Sequence, residues 1–317
     1  MRLHEENAAF TELVQTAAQN IGLPQIYVEK DYWITRALKF LANSPRANEV
    51  VFKGGTSLSK GYRLIDRFSE DIDLAVFAGS QSGGARKKQL KDIEAIVSND
   101  LTNISDDVRV SKGSRFRKTV YQYPRSIEAN SFGQASSELL VEVNTFTNPS
   151  PFETCELQSF IAEALTLLDQ KALIAQYELE AFPIQVLSVE RTLTEKILGV
   201  IKDSYHEDPI ARLSDRIRHL YDICLILREE KHRAFVRDEK FSALCEACIS
   251  EERAGNFDGN NCFNKPLREA PLFHKFVDWR SRLDATYRTI FSDLVYGELP
   301  NIEEISATLT FIHKHLD

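Results

Sequence analysis

Asp71 and Asp73 stand one residue apart in EDIDLAVF, a stretch in which acidic and apolar residues alternate. A β-strand turns successive side chains to opposite faces, so the two carboxylates would share one face while Ile72 and Leu74 share the other. Two carboxylates that close repel unless protonated or neutralised by a cation. Mg²⁺ prefers oxygen ligands and is commonly shared between one or two carboxylates and phosphate groups, so it suits such a pair. Upstream, Gly54-Gly55-Thr56-Ser57 offers what a phosphate needs: glycines that let backbone approach, then O–H and N–H donors leading into a helix. Each feature has an ordinary reading as well, the first as the wet face of an edge strand, the second as a turn before a helix. Their order, strand, GG[ST]S, helix, Asp-x-Asp, joins them into a metal site facing a triphosphate.

The elements that must position these residues follow from periodicity. Residues 5–41 read as helical with a break at Pro24, and VEKDYWITRALKFLAN places Tyr32, Ile34, Leu38 and Leu41 at helical spacing. NEVVFKGG reads as a strand entering a turn, SLSKGYRLIDRF as a helix and EDIDLAVF as a strand. GSQSGGARKK is expected as a loop before a helix near residues 88–101, and FRKTVYQYPR and ELLVEVNTF as two further strands. After Pro151 long amphipathic patterns dominate (ELQSFIAEALTLLDQKALIA, VERTLTEKILGVIKDSY, DRIRHLYDICLILREE, VDWRSRLDATYRTIFSDLVY). Turns are expected at HEDP and AGNFDGNN, and the short strand FPIQVLS is expected to return to the first sheet. The expected fold is α/β (α+β): N-terminal helices over 1–47, a small mixed-sheet core over 48–155, and a mainly helical domain over 156–317.

Composition sets limits. The chain of 317 residues is 43% hydrophobic and 27% charged, ordinary for a globular protein. No apolar run is long enough to span a bilayer, and the start MRLHEENAAFTEL lacks the apolar segment of a secretory signal. Five cysteines at irregular spacing fit reduced thiols in a cytoplasm. The net charge of −8 lies wholly in residues 156–317, since residues 1–155 are charge-balanced. Such a chain is no general nucleic-acid coater, so any RNA contact must be local. No internal repeat or low-complexity tract is present.

KGGTSLSKGYRLIDRFSEDIDL resembles the DNA polymerase β-like nucleotidyltransferase superfamily and, more narrowly, the AbiEii/MenT toxin family of bacterial toxin–antitoxin and abortive-infection systems. VEKDYWIT resembles a segment preceding the core in that family. RTLTEKILGV resembles its lysine helix, which makes Lys196 a phosphate or nucleotide contact aided by Arg191. RIRHLYDICLI resembles its late Arg-His…Asp helix, which makes Asp222 the last motif position. The resemblance implies a small α/β sheet and a Mg²⁺-dependent nucleotidyltransferase, with Mn²⁺ as a substitute and a nucleoside triphosphate as substrate. Asp71 and Asp73 would hold the metal, and Gly54, Gly55, Thr56 and Ser57 the phosphates. It implies an RNA acceptor, a tRNA 3′ end, and a cognate antitoxin partner. Glu142, a lone acid on an otherwise apolar strand, is expected as the third carboxylate, ligating a second metal or activating the acceptor hydroxyl. Asn144 on the same face is its rival.

Each assignment has a plainer rival. Lys196 could face solvent on an amphipathic helix, Asp222 could pair with Arg218 at (i, i+4), and Glu142 could be a solvated edge residue. Holding Lys196 or an arginine in place is a further role for Asp222. Cys245-x-x-Cys248 with Cys262 suggests zinc, but a fourth ligand is missing and CEAC sits in a helical stretch. His206 falls in a loop after the lysine helix. RFRKTVYQYPR could grip a nucleic-acid backbone and stack a base, or be a half-exposed strand. The same site could instead modify a protein hydroxyl, by nucleotidylation or phosphorylation, or only bind a nucleotide or partner.

Overall fold

The computed structural model describes residues 2–79, 82–128, 132, 135–254 and 260–316. Contacts divide the chain into two compact units, Met1–Arg63 with Phe68–Leu187 and Leu64–Arg67 with Ser188–Asp317. Residues 156–187, grouped above with the helical segment, thus belong to the unit that carries the sheet.

The first unit opens with helices α1 (Asn7–Ile21) and α2 (Gln25–Ala42). Gly22, at φ +78°, ends α1 in the left-handed region and Pro24 precedes α2, which is the expected break. Among the described residues eight strands follow: β1 (Val50–Lys53), β2 (Asp71–Val76), β3 (Thr102–Asn103), β4 (Ser111–Lys112), β5 (Phe116–Gln122), β6 (Leu139–Asn144), β7 (Phe152–Leu157) and β8 (Phe182–Leu187). They form one mixed sheet in the order β3-β5-β6-β2-β1-β8-β7, with β4 also on β5. Strands β2 and β6 run parallel, as do β1 and β8, so FPIQVLS does return to the sheet. Ile72, Leu74, Val141 and Val143 are buried on one face, each contributing about 1.5–3 kcal/mol.

Three expectations need correction. The helix after the glycines, α3 (Gly54–Lys60), ends at Gly61 and does not reach Phe68; Arg63 has a φ of +54° and residues 64–67 leave for the second unit. Helix α4 (Gly83–Val97) starts earlier than residue 88, because Ser82 caps it by accepting from Ala85 N–H and takes both glycines into its first turn. ELQSFIAEALTLLDQKALIA is not continuous: its start closes β7, α5 (Phe160–Leu167) follows, and Asp169 at φ +54° breaks it before α6 (Lys171–Gln176).

The second unit is helical: α7 (Val189–Asp203), α8 (Pro209–Asp215), α9 (Ile217–Ile226), α10 (Glu230–Arg237), α11 (Glu239–Ala254), α12 (Pro271–Thr286) and α13 (Ile302–His313). The returning segment 64–67 joins it through a bridge between Arg67 and Val295. The HEDP turn forms, with Asp208 accepting from Ala211 N–H at the start of α8. Most of AGNFDGNN (255–259) lies outside the described residues. Among them, no helix is long and apolar enough to cross a membrane.

Candidate active site

Strand β2 places Asp71 and Asp73 together on a half-buried face, with Ile72 and Leu74 beneath them fully buried. The residues beside Asp73 were fixed by register. Lys53 on β1 is its partner on one side and Glu142 on β6 on the other, and Glu142 in turn faces Lys118 on β5. A row Lys53, Asp73, Glu142, Lys118 therefore crosses four adjacent strands on one face. Lys118 Nζ lies 2.6 Å from Glu142 Oε1. Lys53 Nζ donates to Thr147 Oγ1 at 3.2 Å.

The glycine turn sits against this row. Gly54 has φ +83°, and a Cβ added there would overlap the Asp73 carboxylate and come 3.1 Å from its Cγ. Glycine is required at this position twice over, by the left-handed backbone and by the approach of Asp73. Gly55 is half-buried beside it. The hydroxyls expected to cradle phosphates are occupied: buried Thr56 donates to Asp71 O at 2.7 Å, and buried Ser57 donates to Gly54 O at 2.8 Å. These two residues brace the loop and tie it to β2. Asn144 is likewise taken up, since its Oδ1 accepts from Thr147 N–H. Glu142 is thus the acid on this face nearest the pair in register, with Lys118 as its counterion.

Helix α2 anchors the surroundings through three consecutive charged residues, Glu29, Lys30 and Asp31, all buried. Glu29 accepts from Ser126 N–H at 2.6 Å and from Ile127 N–H at 3.3 Å. Lys30 bonds Glu70, the residue before Asp71, and donates to Ser136 O at 2.8 Å, shortly before β6. Asp31 binds Lys60 at the end of α3 and accepts from Phe160 N–H at the start of α5. One turn of VEKDYWIT thereby fixes α3, the entry to β2 and the entry to β6. Burial favours the neutral forms of Lys30 and Glu70, lowering the first pKa and raising the second. Their pairing opposes both shifts.

In the second unit Asp222 on α9 is wholly buried between two cations. Arg67 donates from Nε to Oδ1 (2.7 Å) and from Nη2 to Oδ2 (2.8 Å), and Lys196 Nζ lies 2.7 Å from Oδ2. Burial alone would raise the Asp222 pKa, but Arg67 and then Lys196 outweigh it and hold the carboxyl well below the usual range. Burial lowers the Lys196 pKa against the pull of Asp222. Arg191 does not stand free for a nucleotide: it donates to Glu195 at 2.9 Å and to Glu251 at 3.1 Å, and is buried. Arg67 was missed from sequence; its partner lies 155 residues away and only the fold joins them.

Zinc finds no support. Cys245 and Cys248 are buried along α11 as free thiols, and among the described residues no three His, Cys, Asp or Glu side chains come together to hold a metal. His206 is exposed, its Nδ1 accepting from Asp208 N–H. What the two carboxylates offer is a half-buried face of oxygen donors, the kind that binds Mg²⁺ jointly with a substrate's phosphates and not in a protein cage. The close approach of Gly54 leaves backbone beside that face.

No curated protein matches the chain in sequence. Among solved structures, MenT4, a nucleotidyltransferase toxin from Mycobacterium tuberculosis H37Rv, aligns over 72% of each chain at 17% identity with a TM-score of 0.41. Residues 36–309 match the family described as "Nucleotidyl transferase AbiEii toxin, Type IV TA system". That span includes the glycine turn, the Asp-x-Asp strand, Glu142, Lys196 and Asp222, and the chain belongs to the AbiEii family of nucleotidyltransferase toxins.

Proposed function

We propose that this chain transfers a nucleoside monophosphate from a nucleoside triphosphate to an RNA hydroxyl, a tRNA 3′ end, releasing pyrophosphate. The observation that carries the reading is the Asp71–Asp73 face on β2 with Gly54 folded against Asp73. The two carboxylates and the adjacent backbone fit Mg²⁺, with Mn²⁺ serving in its place. When bound, the metal would neutralise the triphosphate and draw its phosphates into line.

The protein's own groups do the rest. Asp71 and Asp73, stiffened by the buried residues between and after them, present fixed oxygens. Gly54 and Gly55 bring the main chain close enough to meet phosphate oxygens, while Thr56 and Ser57 hold that turn in shape. Glu142, beside Asp73 on the next strand, orients or deprotonates the acceptor hydroxyl. In the second unit, Asp222 and Arg67 fix the Lys196 ammonium. A cognate antitoxin restrains the enzyme, and the reaction belongs in the cytoplasm.

The test is incubation of the purified protein with Mg²⁺, total tRNA and each α-labelled nucleoside triphosphate, beside Asp73→Asn. Label on RNA that needs both Mg²⁺ and Asp73 supports the reading and names the nucleotide. Label on protein under the same controls moves the acceptor to a side-chain hydroxyl. Absence of both label and pyrophosphate release overturns it.

A further inference from the structure

The parallel strands β2 and β6 are each pinned just before the residues that reach the site. Buried Glu70 stands ahead of β2, and half-buried Ser136 stands ahead of β6. Lys30 of α2, wholly buried, ties the two together: its ammonium bonds the Glu70 carboxylate and donates to Ser136 O at 2.8 Å. Ser136 N–H closes the triangle by donating at 2.8 Å to Glu70 Oε2, the same oxygen that Lys30 holds. From this node the chain passes directly into Asp71, which faces Leu140, and then to Asp73, which faces Glu142. Thr56 steadies the same entry by donating to Asp71 O. A buried ion pair is a poor source of stability, since apolar side chains of the same volume often do as well, but fixing a register is a recognised use for one. Register is what this site depends on. A slip of β6 by one residue would turn Glu142 to the other face of the sheet and bring Val141 or Val143 beside Asp73.

Resting on the metal reading above, we propose that Lys30 and Glu70 are positioning residues of the active site, whose shared hold on Ser136 keeps Glu142 level with Asp73 so that it joins the Asp71–Asp73 pair at one divalent cation. They act through the strands they fasten, Glu70 through Asp71 next to it in sequence and Lys30 through both strand entries. The electrostatics agree with the geometry, since Lys30 brings a buried positive charge to SEDID, a run that carries three negative ones. Burial is the largest influence on both groups and their pairing the next; the charge of Asp71 then acts on each, pulling both pKa values upward.

The experiment reads Mn²⁺ binding directly, from the electron paramagnetic resonance signal of the free ion, beside pyrophosphate release and chemical denaturation. Lys30→Met/Glu70→Met removes both charges and keeps apolar bulk, so its denaturation midpoint should stay near that of wild type. Its Mn²⁺ Kd should rise about 10- to 100-fold, the usual loss when a group supporting a metal ligand is replaced, and pyrophosphate release should fall with it. Glu70→Gln should do the reverse. It keeps an oxygen for Lys30 and Ser136 but leaves the buried ammonium without its counterion. Stability should fall, while the Mn²⁺ Kd stays closer to wild type than to the double variant. The control is Arg117→Met/Glu94→Met, which removes a buried pair on the opposite face, in line with Val143, and should bind Mn²⁺ as wild type does. An unchanged Mn²⁺ Kd in Lys30→Met/Glu70→Met, or an equal loss in the control, would overturn the positioning role and leave the metal site standing. Stability and Mn²⁺ affinity falling together across the series would mark a merely structural pair and overturn it too. Wild type that binds no Mn²⁺ would sink both.

Discussion

The carboxylate of Asp73 lies directly against the Cα of Gly54, with no room for a Cβ between them. Gly54→Ala must therefore push Asp73 off its position as well as strain a left-handed backbone, at a cost of about 1–2 kcal/mol for the conformation alone. The expected outcome is a folded protein, slightly less stable, whose metal-dependent pyrophosphate release falls a hundredfold or about that, the scale of effect seen when catalytic groups are misplaced by an ångström. Thermal denaturation beside a pyrophosphate assay separates the two effects.

Asp71→Asn and Asp73→Asn keep shape and remove charge. Each should abolish the part of nucleotide affinity that depends on a divalent cation, so that titrations with and without a chelator coincide. Wild type should lose the same increment on chelation. A wild-type nucleotide Kd indifferent to the chelator would count against the metal site.

Glu142 and Lys118 are both partly exposed, and such a pair contributes at most about 1 kcal/mol to stability. Glu142→Gln should thus leave the melting temperature almost unmoved while lowering turnover by about 10²-fold or more, the usual share of a general acid–base group. A double cycle with Lys118→Met measures their coupling in each readout. If turnover survives Glu142→Gln, the acid is only the counterion of Lys118.

Asp222→Asn leaves Arg67 and Lys196 buried without their counterion and should cost about 3–5 kcal/mol in chemical denaturation. The sign of its pH dependence follows from the depressed folded pKa. The wild-type contribution is complete above the ordinary value of 3.8 and is lost as pH falls through the lower folded value. The stability gap between wild type and variant should hold from neutral pH to about pH 4 and close only in stronger acid.

The acids of the site were legible because a two-residue strand period and a glycine pair are local patterns: Asp71, Asp73 and Gly54 lie where their neighbours in sequence put them. What makes Asp73 part of a charged row is cross-strand register, and no local pattern reveals that Lys53 or Lys118 stands beside an acid. The triplet Glu29-Lys30-Asp31 has the composition of a solvated helix face, yet each of its charges is buried on a partner from a distant segment. Strand β7 escaped notice for the opposite reason: as an edge strand it is mostly exposed, and FETCEL carries no apolar alternation. Thr56 and Ser57 look like ligand donors in sequence because a hydroxyl's use inside a turn leaves the same residue types.

The path of residues 64–67 has a consequence for how the protein comes into being. Arg67 precedes the site-bearing strand by only a few residues, but its carboxylate partner is made 155 residues later. Closing so long a loop is entropically slow and cannot begin until α9 has been synthesised. A nascent or truncated chain ending before Asp222 would carry the whole Asp-x-Asp strand and still leave the Arg67 guanidinium without this anchor. The Arg67 anchor forms only once α9 has been made, and no single cut between α3 and α7 yields two pieces that each hold a full compact unit.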